Sequence, residues 1–548
     1  MKKIVSLILT FAMAATGFAL FGCAAPSPKK ESSLRNAVQP DESVTAPAEE
    51  EIKEVTRAYF SELNKEVKAG ESFELKVTTT GGAVTFRALD SNKIAVTAGN
   101  DTVTVKGLKS GVTYVVAVDE DGRQYNACRV RVNAGDAEKP DPPTEPEKPK
   151  ENNGGMTYSS YDLNTYVYPY WHGNTVYNET ALFVGNTDAT PLLYKASRIL
   201  KVTSYDLKTT YAEGVDYTYD KSANLLRRTA NSRIPAWEPT RWNMTLAQAK
   251  ANGLLESGNA FAAKGATLNT ATNEWSNYVY FAEGKTISEQ QIAITYEHEE
   301  YAPEEWTLPA SNVAAFPKLR NKLENGQRVE ILYYGDSVVQ GANASKFVGL
   351  APNAEQYTDM ITSFIKAKYP RATVVQQNIA SGGTTAEQAL SYFPARTPTS
   401  VIPTEPCTVT PDLIVFGYGL NDQNVLGYTP QKFAENIEKL VQKARQNFPN
   451  CEILFASPAL GNPASFPYSD EDTQEQAIKS LFFPNGNAKY NGFAVAEVTK
   501  MHRQLYHKKG NRYGDITGNN VNHPNDMGMR LIAQTCLETI FGSDYYKL

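Results

Sequence analysis

The residue best placed for chemistry in this chain is Ser337, which follows a short apolar run. The run Ile-Leu-Tyr-Tyr begins at Ile331 and is typical of a buried strand, and Gly335 allows the chain to turn sharply after it. Open α/β sheets bind their ligands at the carboxyl ends of the strands, so Ser337 is predicted to lie where a ligand would bind. A serine there acts as a nucleophile only with a base, donors for an oxyanion and access for substrate. Taken alone, Gly-Asp-Ser is also a common turn sequence.

Three later segments also carry a candidate site residue, which stands after a predicted strand or before a predicted helix. The strand-like segment Thr373–Ala380 leads to Gly383, and the apolar strand Asp412–Phe416 leads to Asn421. His523 lies in Asn-Val-Asn-His-Pro-Asn, directly before a helical pattern. Serine, glycine, asparagine and histidine in this order resemble the four sequence blocks of the SGNH (GDSL-type) hydrolases. The resemblance covers roughly residues 320–548.

The chemistry that these residue types allow is acyl transfer. Ser337 would attack an acyl carbon, and His523 would take its proton, since an imidazole is a suitable base near neutral pH. The resemblance implies that the oxyanion is bound by the backbone N–H groups of Ser337 and Gly383 and by the side-chain amide of Asn421. Gly383, the second glycine of its pair, is chosen because it stands five residues after Asn378, which matches the family's spacing.

The last block departs from the family pattern. That block is usually Asp-x-x-His, in which the carboxylate orients the imidazole and stabilises its charge. Here Asn520 stands three residues before His523. Three arrangements remain open: a Ser–His dyad helped by a backbone carbonyl, Asn520 as a neutral orienting group, or Asp515 reaching in from the preceding loop. We favour the dyad or Asn520, because some SGNH esterases that act on carbohydrates use a dyad.

The N-terminal residues predict export and anchoring. Residues 1–22 have two lysines and then a short apolar segment, which is typical of a secretory signal. The segment runs into Leu-Phe-Gly-Cys, whose cysteine is Cys23. This ending resembles a bacterial lipobox, which implies a lipid on Cys23, attachment to the membrane and an extracytoplasmic location. The alternative is an ordinary signal peptide with a free cysteine.

Composition divides the rest of the chain. A length of 548 residues is too great for one core, and about three domains are expected. Residues 23–52 are predicted to be a solvated tether, and 135–156 a stiff linker rich in Pro, Lys and Glu. Between them, 53–134 show short alternating runs that predict a β-sandwich resembling a bacterial Ig-like spacer domain.

The two remaining regions differ in their periodicity. Residues 157–318 carry β runs without marked helical periodicity, which predicts a β-sandwich of jelly-roll type. Residues 319–548 alternate strands and helices, which predicts a doubly wound, flavodoxin-like α/β domain with a parallel sheet. A β-sandwich directly ahead of an SGNH domain resembles certain carbohydrate esterases. Its tryptophans, either sugar platforms or packed core residues, are Trp171, Trp237, Trp242 and Trp275.

Charge and metal-ligand patterns narrow the function classes. The chain has 54 basic and 60 acidic residues, a net charge of −6, which argues against a nucleic-acid partner. The cysteines and histidines outside the motifs lack metal-ligand spacing, so no metal or cofactor is predicted. The cysteines expected to be buried thiols without an obligatory disulfide are Cys128, Cys407, Cys451 and Cys536.

The leading hypothesis is a surface-anchored serine esterase that removes O-acetyl groups from carbohydrate. The alternatives are an esterase for lipids or small acyl esters, an enzyme acting on peptidoglycan or another envelope glycan, and a glycan-binding surface protein with a degenerate hydrolase domain. The last is motivated by Asn520 and by the two β domains. Neither the glycan nor the acyl position follows from these motifs.

Overall fold

The computed structural model describes residues 57–133 and 160–547, except 62–63, 81–82, 89–90, 120–123, 300–305, 425 and 466–470. These residues form two compact units, 57–133 and 160–547. The predicted signal peptide with Cys23, the tether up to residue 52 and the linker 135–156 lie outside the described residues. Among the residues described, no helix is long and apolar enough to cross a bilayer.

The first unit is an all-β sandwich, as the alternating sequence pattern predicted. Its strands are β1 (Arg57–Phe60), β2 (Asn64–Lys68), β3 (Ser72–Thr80), β4 (Val84–Ala88), β5 (Ile94–Ala98), β6 (Thr102–Gly107), β7 (Gly111–Asp119) and β8 (Gln124–Asn133). They form two four-stranded sheets, β1-β3-β6-β5 and β2-β8-β7-β4, which are antiparallel except where β2 pairs with β8. Leu75 and Val103 from one sheet pack with Val130 from the other.

The second unit begins with a β-rich part, and its antiparallel strands confirm the predicted β character of residues 157–318. Its strands are β9 (Thr175–Leu182), β10 (Ala189–Pro191), β11 (Ala196–Ser204), β12 (Thr210–Tyr211), β13 (Tyr217–Asp220), β14 (Leu225–Arg228), β15 (Asn243–Thr245), β16 (Ala260–Ala262), β17 (Leu268–Asn269), β18 (Glu274–Trp275), β19 (Asn277–Tyr280) and β20 (Gln291–His298). They form the sheets β12-β11-β20-β9, β10-β14-β13, β15-β19-β16 and β17-β18. The short helices here are α1 (Leu163–Val167), α2 (Pro239–Trp242) and α3 (Leu246–Ala251).

The α/β part of the second unit is built on a parallel five-stranded sheet. Its strands are β21 (Arg328–Gly335), β22 (Thr373–Asn378), β23 (Leu413–Gly417), β24 (Glu452–Ala456) and β25 (Phe493–Ala496). The order β22-β21-β23-β24-β25, with every pair parallel, is the flavodoxin-like order that the sequence predicted.

Helices cover both faces of this sheet. They are α4 (Pro317–Glu324), α5 (Ser337–Gln340), α6 (Tyr357–Lys368), α7 (Ala386–Tyr392), α8 (Leu420–Asn424), α9 (Pro430–Asn447), α10 (Glu471–Phe482), α11 (Val498–Lys508) and α12 (Asp526–Phe541). Ile331 and Tyr333 of β21 pack with α4, α6 and α12 on one face. Leu332 and Tyr334 pack with α7, α9 and α10 on the other. The sheet is therefore buried on both faces, and a ligand is expected to bind at the ends of its strands.

The β-rich part and the α/β part share one hydrophobic core. Phe183 and Ile292 of the β-rich part lie in the same buried cluster as Leu460, Met501 and Leu531 of the α/β part. The two regions predicted as separate domains, 157–318 and 319–548, therefore fold as one compact unit. Residues of the β-rich part can consequently be held in place at the edge where Ser337 lies.

Candidate active site

Ser337 lies at the turn between β21 and α5. It is the first residue of α5, and the side chain of the preceding Asp336 accepts a hydrogen bond from Val338 N at 2.9 Å. Gly335 is required here, because a Cβ would come within 2.2 Å of Val339 Cγ2 and 2.3 Å of Gly417 O. This close approach sets the serine at the carboxyl edge of the sheet, as the sequence predicted.

His523 is held by a tight loop directly before α12. Gly518 N donates to the carbonyl oxygen of His523 at 2.8 Å, and the Thr517 hydroxyl donates to the same oxygen at 2.9 Å. Asn519 Oδ1 accepts the N–H of His523 at 2.9 Å. The ring is thereby fixed with its Nε2 2.9 Å from Ser337 Oγ. The side chains that the sequence proposed as nucleophile and base are in hydrogen-bond contact.

The other ring nitrogen of His523 faces two acceptors. Its Nδ1 lies 2.8 Å from Asn343 Oδ1 and 3.1 Å from Glu283 Oε2. The amide of Asn343 has one possible orientation, because its Nδ2 donates to Gly284 O at 2.8 Å and to Gly518 O at 3.2 Å. A neutral ring with acceptors at Nδ1 carries its proton there, which leaves the Nε2 lone pair directed at Ser337 Oγ.

Neither candidate for the third member of the site contacts the ring, and this corrects the expectation from the sequence. Asn520 Nδ2 donates to Tyr280 O at 2.9 Å, and its Oδ1 accepts from Asn462 Nδ2 at 3.0 Å. The carboxylate of Asp515 is buried and accepts from Leu182 N at 2.8 Å, with Lys509 Nζ 3.3 Å away. Both side chains are occupied by structural contacts.

Glu283 is the functional candidate that the sequence did not reveal. It follows β19, precedes His523 by 240 residues, and carries its carboxylate across from the β-rich part. Its Oε1 accepts from Asn519 Nδ2 at 2.9 Å, so both oxygens are engaged by the loop that carries His523. No local motif marks it, because a glutamate before a glycine is common in turns.

The residues proposed as oxyanion donors lie in connected turns. Gly382 N donates to Gln340 Oε1 at 3.1 Å, whereas the N–H of Gly383, which has a φ of 76°, has no acceptor among the described residues. Asn421 Nδ2 donates to Thr384 O at 3.0 Å, and its second amide proton is left for an oxyanion. Gly383 therefore stays the candidate of the glycine pair for an oxyanion donor.

Two buried carboxyl groups support these turns. Burial raises the pKa of Asp336 to about 6 and that of Asp422 to about 8. Asp422 accepts from Ala386 N at 3.0 Å, and it thereby connects the turn with Asn421 to the start of α7. Both groups lie within the fold rather than at the reacting atoms.

The remaining candidates from the sequence are structural. Trp171 is fully buried and donates from Nε1 to Glu538 Oε2 at 2.7 Å. Trp242 and Trp275 are also buried, and Trp237 packs on Tyr280 with 4.5 Å between ring centroids. The described residues contain no group of three His, Cys, Asp or Glu side chains that could hold a metal ion. The free cysteines are Cys128, Cys407, Cys451 and Cys536.

The flavodoxin-like fold and the contact between serine and histidine define a domain of α/β class with a serine hydrolase site. Residues 333–531 match the model of the GDSL-like lipase/acylhydrolase family. The α/β part therefore contains a GDSL-like lipase/acylhydrolase domain, which is a carboxylic ester hydrolase domain. No curated protein matches the chain significantly.

Solved structures similar to this chain include carbohydrate esterases. A two-domain esterase active on acetylated mannans is 19% identical, with a TM-score of 0.32, and the match covers 42% of this chain and 54% of that one. The acetylxylan esterase Axe2 from Geobacillus stearothermophilus is 15% identical, with a TM-score of 0.28 and coverages of 39% and 94%. The chain thus spans about half of the mannan esterase.

Proposed function

We propose that the protein is a surface-anchored serine esterase that removes O-acetyl groups from carbohydrate. The observation that carries the proposal is the 2.9 Å contact between Ser337 Oγ and His523 Nε2, with acceptors at the ring's Nδ1. This is the arrangement that converts a weakly nucleophilic hydroxyl into an attacking group. It occurs at the strand edge of a domain that belongs to the acylhydrolase family.

The reaction proceeds through an acyl-enzyme. Ser337 Oγ attacks the ester carbonyl carbon while its proton passes to His523 Nε2, and the carbonyl oxygen takes the negative charge. The N–H groups of Ser337 and Gly383 and the amide of Asn421 bind this oxygen. The carbonyl bond then re-forms and the bond between the acyl carbon and the alcohol oxygen breaks, while His523 gives its proton to the departing alkoxide oxygen. Water, deprotonated by His523, attacks the acyl-enzyme and releases the carboxylic acid and free Ser337.

A short acyl group is favoured by the limited exposure of the reacting side chains. Ser337 and His523 are 5% and 3% exposed, so little open space adjoins the nucleophile. A small acyl group needs the least further space there, and acetyl is therefore preferred over the lipid alternative.

The carbohydrate part of the proposal rests on the resemblance of a β-sandwich with a following SGNH domain to certain carbohydrate esterases. The contact of the β-rich part with the catalytic residues, through Glu283 and Gly284, is consistent with a wall of the substrate cleft. The alternative of a degenerate, glycan-binding domain was motivated by the missing aspartate. Because a carboxylate lies at Nδ1 of His523, the missing aspartate is no longer a reason to favour a degenerate domain.

The function is tested with the purified protein on 4-nitrophenyl acetate, butyrate and octanoate. We expect turnover of the acetate, a fall with chain length, and loss of activity in Ser337→Ala with an unchanged thermal transition. A panel of acetylated polysaccharides, monitored for released acetate, then identifies the glycan. Octanoate as the best ester would instead support the lipid esterase, and an active Ser337→Ala protein would refute the assignment of this site.

The anchoring is tested separately. A lipid on Cys23 predicts that the protein sediments with membranes and that Cys23→Ala leaves it unprocessed or released. Equal release of both forms would indicate an ordinary secretory signal.

A further inference from the structure

The β-rich part places a carboxylate on the catalytic histidine of the α/β part. We propose that Glu283 is the charged partner of His523, in the place that the family gives to an aspartate three residues before the histidine. This inference rests on the proposed function, because it assigns Glu283 a role in the same acyl transfer. Glu283 is a positioning residue: it acts on the ring and does not touch the reacting ester.

The segment that carries Glu283 is tied to the α/β part by three asparagine side chains, two from the loop that carries His523 and one from the connection after α5. Asn520 Nδ2 donates to Tyr280 O at 2.9 Å, and Asn519 Nδ2 donates to Glu283 Oε1 at 2.9 Å. Asn343 Nδ2 donates to Gly284 O at 2.8 Å. These donors bind residues on both sides of Glu283 as well as its own carboxylate. The glutamate is therefore held at the ring by the α/β part.

The two acceptors at Nδ1 have different tasks. Asn343 Oδ1, at 2.8 Å, is the nearer one and fixes the tautomer, but it carries no charge. Glu283 Oε2, at 3.1 Å, is an acceptor with a negative charge, which stabilises the imidazolium that forms when Ser337 attacks. The Glu283 side chain is 20% exposed, so solvent reaches the carboxylate beside the ring. Asn343 thus holds the neutral ring, and Glu283 stabilises the charged one.

Glutamine cannot replace Glu283 without a conflict. The carboxylate accepts from Asn519 Nδ2 on one oxygen and from the histidine ring on the other. An amide has one oxygen, so in either orientation its NH₂ group faces a donor. Glu283→Gln therefore removes both the charge and one hydrogen bond, while Asn343 keeps the tautomer.

The test compares Glu283→Gln with Glu289→Gln in the full-length protein. Glu289 lies in the same connection, but its side chain is 40% exposed and pairs with Lys285. We expect Glu283→Gln to lower kcat for 4-nitrophenyl acetate by about 10²-fold with little change in KM, and Glu289→Gln to match the wild type. The loss is smaller than the roughly 10⁴-fold loss on replacing a triad aspartate by asparagine, because Asn343 still sets the tautomer.

Two readouts separate a charge effect from a packing effect. The acid limb of the pH–rate profile of Glu283→Gln moves to lower pH, because a positive ring is less stable without the carboxylate. Glu283→Ala leaves a gap that formate can enter, so sodium formate raises its kcat, whereas sodium chloride at equal ionic strength does not. Wild type and Ser337→Ala do not respond to formate.

Different results would refute the esterase function and the role of Glu283. Activity in Ser337→Ala refutes the function itself. If Ser337→Ala is inactive, a kcat of Glu283→Gln within about twofold of Glu289→Gln overturns the role of Glu283 and leaves the function standing. A lower kcat with an unmoved acid limb and no response of Glu283→Ala to formate also overturns it, because it shows a packing role alone.

Discussion

At the scale of single residues, the site depends on carboxamide side chains that donate and accept at once. Asn343 accepts from the histidine ring with its oxygen and donates to Gly284 O with its nitrogen. Asn519 Oδ1 accepts the N–H of His523, and its Nδ2 donates to Glu283. An aspartate at either position would lose the donor half of these contacts. The carboxylate that the chemistry needs is therefore supplied from elsewhere in the chain.

The first residue prediction concerns Asn520. We expect Asn520→Ala to lower kcat by about 10-fold or less, because the link to Tyr280 is lost while Asn519 and Asn343 still hold Glu283. Asn520→Asp is expected to lower activity and the free energy of unfolding, because a carboxylate cannot donate to Tyr280 O at a position that is 2% exposed. Aryl acetate kinetics and denaturant unfolding measure both effects. A gain of activity in Asn520→Asp would instead favour the family's own Asp-x-x-His arrangement.

The second residue prediction concerns the dependence of stability on pH. Burial raises the pKa of Asp422 to about 8, whereas the unfolded value is about 3.9. Between these values, the folded protein retains a proton that the unfolded chain releases, so this group makes the free energy of unfolding fall as the pH rises. Asp422→Asn keeps an acceptor for Ala386 N and cannot ionise. We expect a shallower decline between pH 5 and pH 8 in denaturant unfolding, and an equal decline in both proteins would contradict this.

At the scale of elements, the turn from β21 to α5 has no room for a side chain at Gly335. A Cβ on Gly335 would meet Val339 Cγ2 at 2.2 Å and Gly417 O at 2.3 Å, so the strand and α5 must move apart. We expect Gly335→Ala to lower the free energy of unfolding by about 1–3 kcal/mol and to displace Ser337 from His523, with loss of esterase activity. Adding Val339→Ala removes the clash with Cγ2 but leaves those with Gly417 O and with Cβ of residue 339 at 2.9 Å, so it restores stability only in part. Wild-type activity in Gly335→Ala would show that the turn can relax.

Elements with strong local signals could be predicted from the sequence. A threonine followed by proline is a strong signal for the start of a helix, and α9 begins at Pro430 with Thr429 as its N-cap. The helical pattern after His523 corresponds to α12, which spans Asp526–Phe541. The apolar runs β21 and β23 end where predicted, before Ser337 and Asn421. Parallel strands share a direction, so these ends meet at one edge.

The third partner of the site could not be predicted, because no local pattern encodes it. Glu283 and Asn343 come from different parts of the chain, and their meeting at His523 depends on how the β-rich part packs. The candidates near the histidine in sequence are Asn520 and Asp515, and both side chains are hydrogen-bonded elsewhere. Tertiary packing, rather than periodicity or spacing, sets this contact.

At the scale of the second unit, the β-rich part is integral to the α/β part. Arg530 of α12 is 2% exposed, lies over the rings of Tyr166 and Tyr170, and donates to Tyr177 O at 2.6 Å. Lys509, at the end of α11, is fully buried and lies 2.5 Å from Glu179 of β9. Such contacts, together with a shared core, make separate folding of the two parts unfavourable. The position of Glu283 is therefore tied to the stability of the whole unit.

The last prediction concerns this coupling. Lys509 Nζ lies 2.5 Å from Glu179 and 3.3 Å from Asp515, and it donates to Pro191 O at 2.8 Å. Lys509→Met leaves the buried carboxylate of Glu179 without its cation and leaves Asp515 with Arg512 alone, whose Nε lies 3.4 Å away. We expect a loss of about 3–5 kcal/mol in the free energy of unfolding. Lys250→Met, which breaks an exposed pair, is the control and should cost about 1 kcal/mol or less.

Two spectroscopic probes report on the two parts of the unit. Tryptophan fluorescence follows the β-rich part, because all 5 tryptophans of the chain lie between residues 171 and 306. Ellipticity at 222 nm follows mainly the helices of the α/β part. The two midpoints should coincide in the wild type and move together in Lys509→Met. Fluorescence and ellipticity transitions at different denaturant concentrations would show that the β-rich part unfolds on its own, and that Glu283 can leave the histidine without unfolding of the catalytic domain.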